Sequence, residues 1–300
     1  MIKLVFLGTG SMIPTAQRNH SGIFLTYRDE GILVDCGEGI QRQFRKAKIS
    51  PTKITKLLIT HWHGDHILGI PGLLQTLAAS KYNRTLEIYG PKGTKEYISK
   101  MLDFFVFVKK NENFKFKVKE ISEGIFFENE YFILKSSKLK HSITSLGYSL
   151  IEKDQLKIIK SFLKKLDISP CPMLKKLKEG KNIKLKGRTI KAKDATLLKK
   201  GKKITFISDT GKCQSAVDLA KDSDLLISEA TFDDALIEKA DSYDHMTASQ
   251  AAELAKNSSS KKLILTHFSQ RYKSVKKLKI QAKKTFPNTE TAKEFMVLSL

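Results

Sequence analysis

Cysteine is scarce in this chain. Its 300 residues hold only Cys36, Cys171 and Cys213, too few and too scattered for a disulfide framework or a thiolate zinc cluster, so all three are expected to stay reduced. Long apolar runs are absent too. The stretch Leu4-Val5-Phe6-Leu7 ends at Gly8-Thr9-Gly10, and nowhere do about 18 apolar residues run together, so neither a signal peptide nor a membrane span is read and a soluble, cytoplasmic chain is expected. Arginine supplies only seven of the 54 basic residues, and acids are outnumbered 31 to 54, giving a net charge of +23 and a pI of about 9.7. Such an excess implies a polyanionic partner, nucleic acid ahead of an anionic membrane surface, with a general bias toward lysine as the bland alternative. The charge is unevenly placed: Ile151 to Lys203 carries 17 lysines and one arginine against five acids, a balance of +13.

Against that sparse background, three of only seven histidines fall in His61-Trp62-His63-Gly64-Asp65-His66. The preceding Lys56-Leu57-Leu58-Ile59-Thr60 reads as a buried strand, so His61 and His63, two apart on near-extended backbone, share one side and can share one ion. Gly64 lets the chain turn, which aims Asp65 and His66 at a second point. Imidazoles beside a hard carboxylate suit two neighbouring zinc-like ions with room for bound solvent.

Short apolar runs bounded by glycine alternate with amphipathic stretches, which argues for a mixed α/β domain without internal repeats. Strands are expected near Lys3–Leu7, Gly22–Tyr27, Gly31–Asp35, Leu57–Thr60, Leu86–Tyr89, Tyr131–Lys135, Leu146–Leu150, Ile204–Ser208, Leu225–Ser228 and Leu263–Thr266. Helices fit Ile40–Ala47, Gly69–Ser80, Thr94–Phe105, Cys213–Lys221, Thr247–Asn257 and Val275–Phe286. Ile151–Asp194 interrupts the pattern and reads as a projecting basic arm: a helical stretch Gln155–Leu166, then Ser169-Pro170-Cys171-Pro172, a short helix Met173–Lys178 and a strand-like tail Asn182–Lys191. His61, Asp209 and His267 each follow a strand, as expected of ligands gathered along one edge of a layered sheet.

Further ligand candidates are His141 in Lys140-His141-Ser142, Asp209 in Ser208-Asp209-Thr210-Gly211, and His267 in Leu265-Thr266-His267-Phe268. Each is weak alone. With H-x-H-x-D-H ahead of them, the series resembles the metallo-β-lactamase superfamily. Within it the chain is similar to the ribonuclease Z branch, through Leu7-Gly8-Thr9-Gly10, Arg18-Asn19, Asp35-Cys36-Gly37-Glu38-Gly39, Glu229-Ala230-Thr231-Phe232, His245-Met246-Thr247 and Leu263 to Tyr272. The resemblance covers essentially the whole chain.

It implies a four-layer αββα sandwich over residues 1–300, with 151–194 as a flexible arm that grips transfer RNA; Cys171-Pro172 stands where the family's arm usually has Gly-Pro. It implies two zinc ions per subunit, or manganese or another divalent ion in their place. His61, His63 and His141 would hold one and Asp65, His66 and His267 the other, with Asp209 shared. Asp65 would also accept a proton from the attacking water, and His245, oriented by Glu229, would protonate the leaving oxygen. The implied activity is removal of 3′ trailers from precursor transfer RNA, by a homodimer, leaving a 3′ hydroxyl on the RNA and a 5′ phosphate on the trailer. His20 falls outside the motifs and reads as a structural residue. Two other readings stand beside this one: a hydrolase of a small phosphodiester or other ester, which needs no basic arm, and a non-catalytic nucleic-acid-binding module.

Overall fold

The computed structural model describes residues 1–104, 114–169, 171–185 and 187–300. Two seven-stranded sheets carry the fold. The first runs β18 (Val297–Ser299), β1 (Lys3–Gly8), β2 (Gly22–Tyr27), β3 (Glu30–Val34), β4 (Lys56–Leu58), β5 (Thr85–Gly90) and β6 (Lys115–Glu120). It is antiparallel from β18 to β3 and parallel from β3 to β6. The second runs β17 (Thr289–Thr291), β16 (Leu263–Thr266), β15 (Leu225–Glu229), β14 (Lys203–Ile207), β9 (Ser145–Glu152), β8 (Phe132–Leu139) and β7 (Gly124–Glu128), parallel from β14 to β17.

Alternation along the strands builds the layers, because successive side chains point to opposite faces. Val5, Leu7, Phe24 and Leu33 pack with Ile40, Phe44, Leu73, Leu74 and Leu77 of the helices Ile40–Lys46 and Ile70–Ala79. Leu226, Leu263 and Leu265 pack with Ala216, Ala251, Ala255 and Leu278 of helices on the second sheet. The intervening Leu4, Phe6, Leu25, Ile32, Ile227 and Ile264 are equally buried, on the faces the sheets turn to each other, where Tyr148 donates through its hydroxyl to Ile59 O (2.6 Å) and Leu146 N to Thr60 O (2.9 Å).

Glu128–Ile133 and Ile151–Lys202 form a separate compact unit. This unit extends beyond the arm bounds read from sequence and takes in an earlier segment. It has its own small core of Leu163, Leu174, Leu177, Ile183 and Ile190. The expected helix Gln155–Leu166 is a strand followed by a helix: β10 (Gln155–Ile158) pairs with β13 (Thr196–Lys199), and only Lys160–Lys165 is helical. Leu156-Lys157-Ile158 satisfies either period, and the distant partner decides. The lysine-rich tail is a hairpin of β11 (Ile183–Leu185) and β12 (Arg188–Ile190). The ends of the excursion meet, since Glu152 N donates to Lys202 O (2.8 Å) and Gly201 N to Asp154 Oδ1 (2.8 Å). Helix Thr94–Asp103 stops short of the expected Phe105, which lies outside the described residues, as does Pro170.

Two loops at the ends of β3 and β4 are stitched together by Cys36 N to His66 O (2.8 Å) and Gly69 N to Cys36 O (2.9 Å). A Cβ on Gly69 would lie 2.0 Å from Gly37 O, an immovable backbone atom, whereas a Cβ on Gly72 would meet only the end of the Gln41 side chain. Gly69→Ala is therefore expected to lower stability by about 1–3 kcal/mol through overpacking, and Gly72→Ala to cost far less. Thermal unfolding of the two variants checks this, and equal midpoints would refute the steric account.

Candidate metal centre

The parallel strands of the second sheet end at one place, and residues at or just past those ends supply three of the site's side chains. Asp209 follows β14, Glu229 closes β15 and His267 follows β16. From the first sheet, β4 runs on through Ile59-Thr60 to His61, and His63 precedes the short helix Gly64–Ile67, which carries Asp65 and His66. His141 follows β8, held by the bridge between Lys140 and Gly211. All seven residues expected as ligands converge, in two groups that share Asp209: His61, His63, His141, Asp209 and Asp65, His66, His267, Asp209.

The spacings are those of coordination. His63 Nδ1 lies 3.1 Å from His61 Nε2 and 3.2 Å from His141 Nε2, and His61 Nε2 lies 3.6 Å from Asp209 Oδ2. In the second group Asp65 Oδ2 is 3.2 Å from both His66 Nε2 and His267 Nε2, and Asp209 is 3.5 and 3.2 Å from the same two nitrogens. A tetrahedral ion with nitrogen bonds near 2.0–2.1 Å holds its donors about 3.3–3.4 Å apart. The fit also shows in an orphan: His66 Nε2 is buried and makes no hydrogen bond, although two carboxylates stand within 3.5 Å. Most buried polar atoms find a partner; among the described residues Arg18 Nε, His20 Nδ1 and Gln41 Oε1 also lack one, but of these four only His66 Nε2 faces two carboxylates within 3.5 Å, as a metal donor would. Donor type and spacing together fit two first-row divalent ions.

Around the donors, the far side of each imidazole is held. His66 Nδ1 donates to Asp35 Oδ2 (2.7 Å), and Thr60 donates to Asp35 through both N (2.8 Å) and Oγ1 (2.9 Å). With its proton committed to Asp35, the Thr60 hydroxyl accepts from His61 Nδ1 (3.0 Å). His141 Nδ1 donates to Asp244 O (3.2 Å). Such partners fix the tautomer and aim the other nitrogen inward. Asp35 does this from a left-handed backbone, φ +59°, and His267 has the same φ; a non-glycine residue there stores about 1–3 kcal/mol of strain.

Burial and neighbouring imidazoles push His61 below the ordinary imidazole value, with Asp209 opposing. Burial opposes charge on His66 too, but Asp209, Asp65 and Asp35 outweigh it and raise His66 well above that value. For Asp65 and Asp209 burial favours the neutral acid, yet adjacent imidazoles override it and hold both below the usual carboxylate range. The result is a nest of ionised carboxylates beside a His66 that holds a proton where an ion would otherwise sit, open on one side where His63 and His141 are half-buried.

Beside the nest lies His245, whose Nδ1 donates to Glu229 Oε1 at 2.8 Å. That contact is a hydrogen bond, closer than two donors on one ion, so Glu229, His245 and His267 are not read as a third metal group although they are close enough to form one. Burial resists a charge on His245, but Glu229, by charge and hydrogen bond, prevails with Asp209 and Asp65 and pushes it up to about 9. The ring stands 5.4 Å from that of His141 and 5.6 Å from that of His267. His20 is buried and meets Met12 O through Nε2 (3.0 Å), a structural position. Sequence reasoning assigned no role to Asp35, Thr60, Thr231 or Glu294. The last, near the chain end, accepts from Thr9 N (3.0 Å) and Asn19 N (3.1 Å) and so fixes the Gly8-Thr9-Gly10 loop; no local pattern marks it.

Stripping the chain with a strong chelator is expected to lower its unfolding temperature, since only the folded state assembles these donors and an ion bound to it alone stabilises it. Restoring a divalent ion at about 100 times its Kd should return about 2.7 kcal/mol for each of the two sites. An unfolding midpoint indifferent to chelator and metal would sink the two-ion reading.

Residues 2–163, over half of the chain, match the family model described as Anti-Pycsar protein Apyc1 and belong to that family; the match ends before Asp209, His245 and His267. Ribonuclease Z of Nanoarchaeum equitans is 43% identical over 269 residues, which is 90% of this chain and 84% of that protein. The crystal structure of human tRNase Z, short form, superposes with a TM-score of 0.72 at 30% identity, covering 99% of this chain and 98% of its own. The metallo-β-lactamase fold protein YhfI from Bacillus subtilis gives a TM-score of 0.72 at 20% identity over 99% and 98% of the two chains, a likeness of fold alone. Taken over its whole length, the chain belongs to the ribonuclease Z family, built on the metallo-β-lactamase fold.

Proposed function

We propose that this chain is the endoribonuclease that removes 3′ trailers from precursor transfer RNA, with His61, His63, His141 and Asp209 holding one zinc ion and Asp65, His66, His267 and Asp209 the other. The observation that carries the reading is the pair of donor groups sharing Asp209 beside the His245–Glu229 pair, in a chain whose full-length relatives are named ribonuclease Z. When bound, such a pair of ions lowers the pKa of a water to near neutrality and neutralises charge on phosphoryl oxygens.

The protein's own groups do the rest. Asp65 accepts a proton from the attacking water. As the new O–P bond forms in line and the P–O3′ bond breaks, His245 gives its proton to the departing 3′ oxygen, through the nitrogen that Glu229 does not hold. The products are a 3′ hydroxyl on the RNA and a 5′ phosphate on the trailer. The Glu229 carboxylate keeps His245 oriented and charged. The basic arm binds the body of the substrate through phosphates, which positions the RNA without reading its sequence. We also propose a homodimer in the cytoplasm. The three cysteines are free, as suits a reducing compartment, and no helix among the described residues is long and apolar enough to cross a membrane.

The test is cleavage of a 3′-extended precursor transfer RNA by the zinc-loaded chain beside Asp65→Ala. One cut near the discriminator base, abolished in the variant, supports the reading; turnover of bis(p-nitrophenyl) phosphate with no RNA cut would move the assignment to a small-phosphodiester hydrolase.

His245→Ala should lose about 10²–10⁴-fold in kcat on RNA, the usual worth of a general acid. It should lose far less on bis(p-nitrophenyl) phosphate, whose leaving group needs no proton. Equal losses on both substrates would remove His245 from the acid role. Replacing 155–199 by a short turn, across the contact of Glu152 N with Lys202 O, should raise KM for RNA and flatten its salt dependence, leaving the small ester untouched. An unchanged salt slope would argue that the arm does not contact phosphates.

A further inference from the structure

The proposed mechanism leaves Thr231 unused, yet its hydroxyl stands between the acid pair and a metal donor. Thr231 Oγ1 lies 2.7 Å from Glu229 Oε2 and 2.9 Å from His267 Nδ1. Glu229 is fully buried and, as a carboxylate, only accepts. Its four contacts are Thr210 N (2.9 Å) and His245 Nδ1 (2.8 Å) on Oε1, and Thr231 N (3.2 Å) and Thr231 Oγ1 (2.7 Å) on Oε2. The single Thr231 hydroxyl proton is therefore given to Glu229. Its oxygen can then only accept from His267, so His267 carries its proton on Nδ1 and turns a lone pair at Nε2 toward Asp65 Oδ2 and Asp209 Oδ1, each 3.2 Å away.

We propose that Thr231 is a positioning residue that selects the metal-binding tautomer of His267, and that through it Glu229 governs one metal donor as well as the acid His245. The inference rests on the two-ion reading above. It gives Glu229 two outputs: a direct bond to His245, and a bond through one hydroxyl to His267. Free imidazole would have to choose its tautomer when the ion arrives, whereas here the choice is made by the fold before binding. Removal of such an outer partner commonly weakens metal affinity about 10–100-fold.

Thr231→Val keeps the shape and the backbone N–H on Glu229 but deletes the hydroxyl. Zinc affinity of the full chain, measured by competition with a chromogenic chelator, should fall about 10–100-fold for one of the two ions, with the other unchanged. Thr231→Ser should restore wild-type affinity. Glu229→Gln, which leaves the Thr231 hydroxyl in place, should weaken the same ion by a smaller factor, and decides the matter if the valine variant fails to fold. Two ions bound as tightly in Thr231→Val as in wild type, or a serine variant as weak as valine, overturns the proposal. Failure of the two-ion reading itself would look different: the wild-type chain would then bind fewer than two ions.

Discussion

The convergence of metal-type donors on two foci that share Asp209 governs how the rest of this fold is arranged. Five imidazoles and two carboxylates are held with donors 3.1–3.6 Å apart, and four of the imidazoles meet an outer partner on the other nitrogen: His66 meets Asp35, His61 Thr60, His267 Thr231 and His141 the Asp244 carbonyl. The two buried carboxylates need positive charge beside them, from an ion or from a protonated His66. The outer partners aim the other nitrogens at the two foci, where a cation would meet them.

The sheets serve this centre by bringing strand ends together. Parallel strands feed Asp209, Glu229 and His267 to one edge in order, because parallel neighbours end on the same side. The first sheet contributes through β4, whose extension is fixed by Asp35 on Thr60 and by the stitched loops around Gly37 and Gly69. Asp35 connects the two foci: it holds His66 directly and His61 through Thr60, one donor from each group. Its left-handed backbone is strain tolerated because the three bonds it accepts determine its position.

Much of this was legible in the chain itself. Gly22–Tyr27 and Leu263–Thr266 appear at the expected residues, because strands buried on both faces read as continuous apolar runs. The seven ligand candidates stood out through H-x-H-x-D-H and the family order that followed it. Strand β6, Lys-Phe-Lys-Val-Lys-Glu, was not read because its lysines mask a partly buried edge strand. Strand β10 was taken as helix because its partner lies some 40 residues away. Thr60 and Glu294 were invisible for a different reason, and Thr231 stood in the motif Glu229-Ala230-Thr231-Phe232 without a readable role: hydroxyls and carboxylates are common, and their roles arise only when remote segments meet.

The arm leaves after β9 and returns on β14, which are neighbours in the second sheet, and its two ends are already hydrogen-bonded to each other. Closing such an excursion grows costlier only slowly with its length, by about 0.6 kcal/mol for each doubling. With a core of its own, it can open and refold as a local unit at a free energy below that of global unfolding. None of the metal-type donors lies within this unit, so its length and charge can drift with the substrate without altering the ligand set.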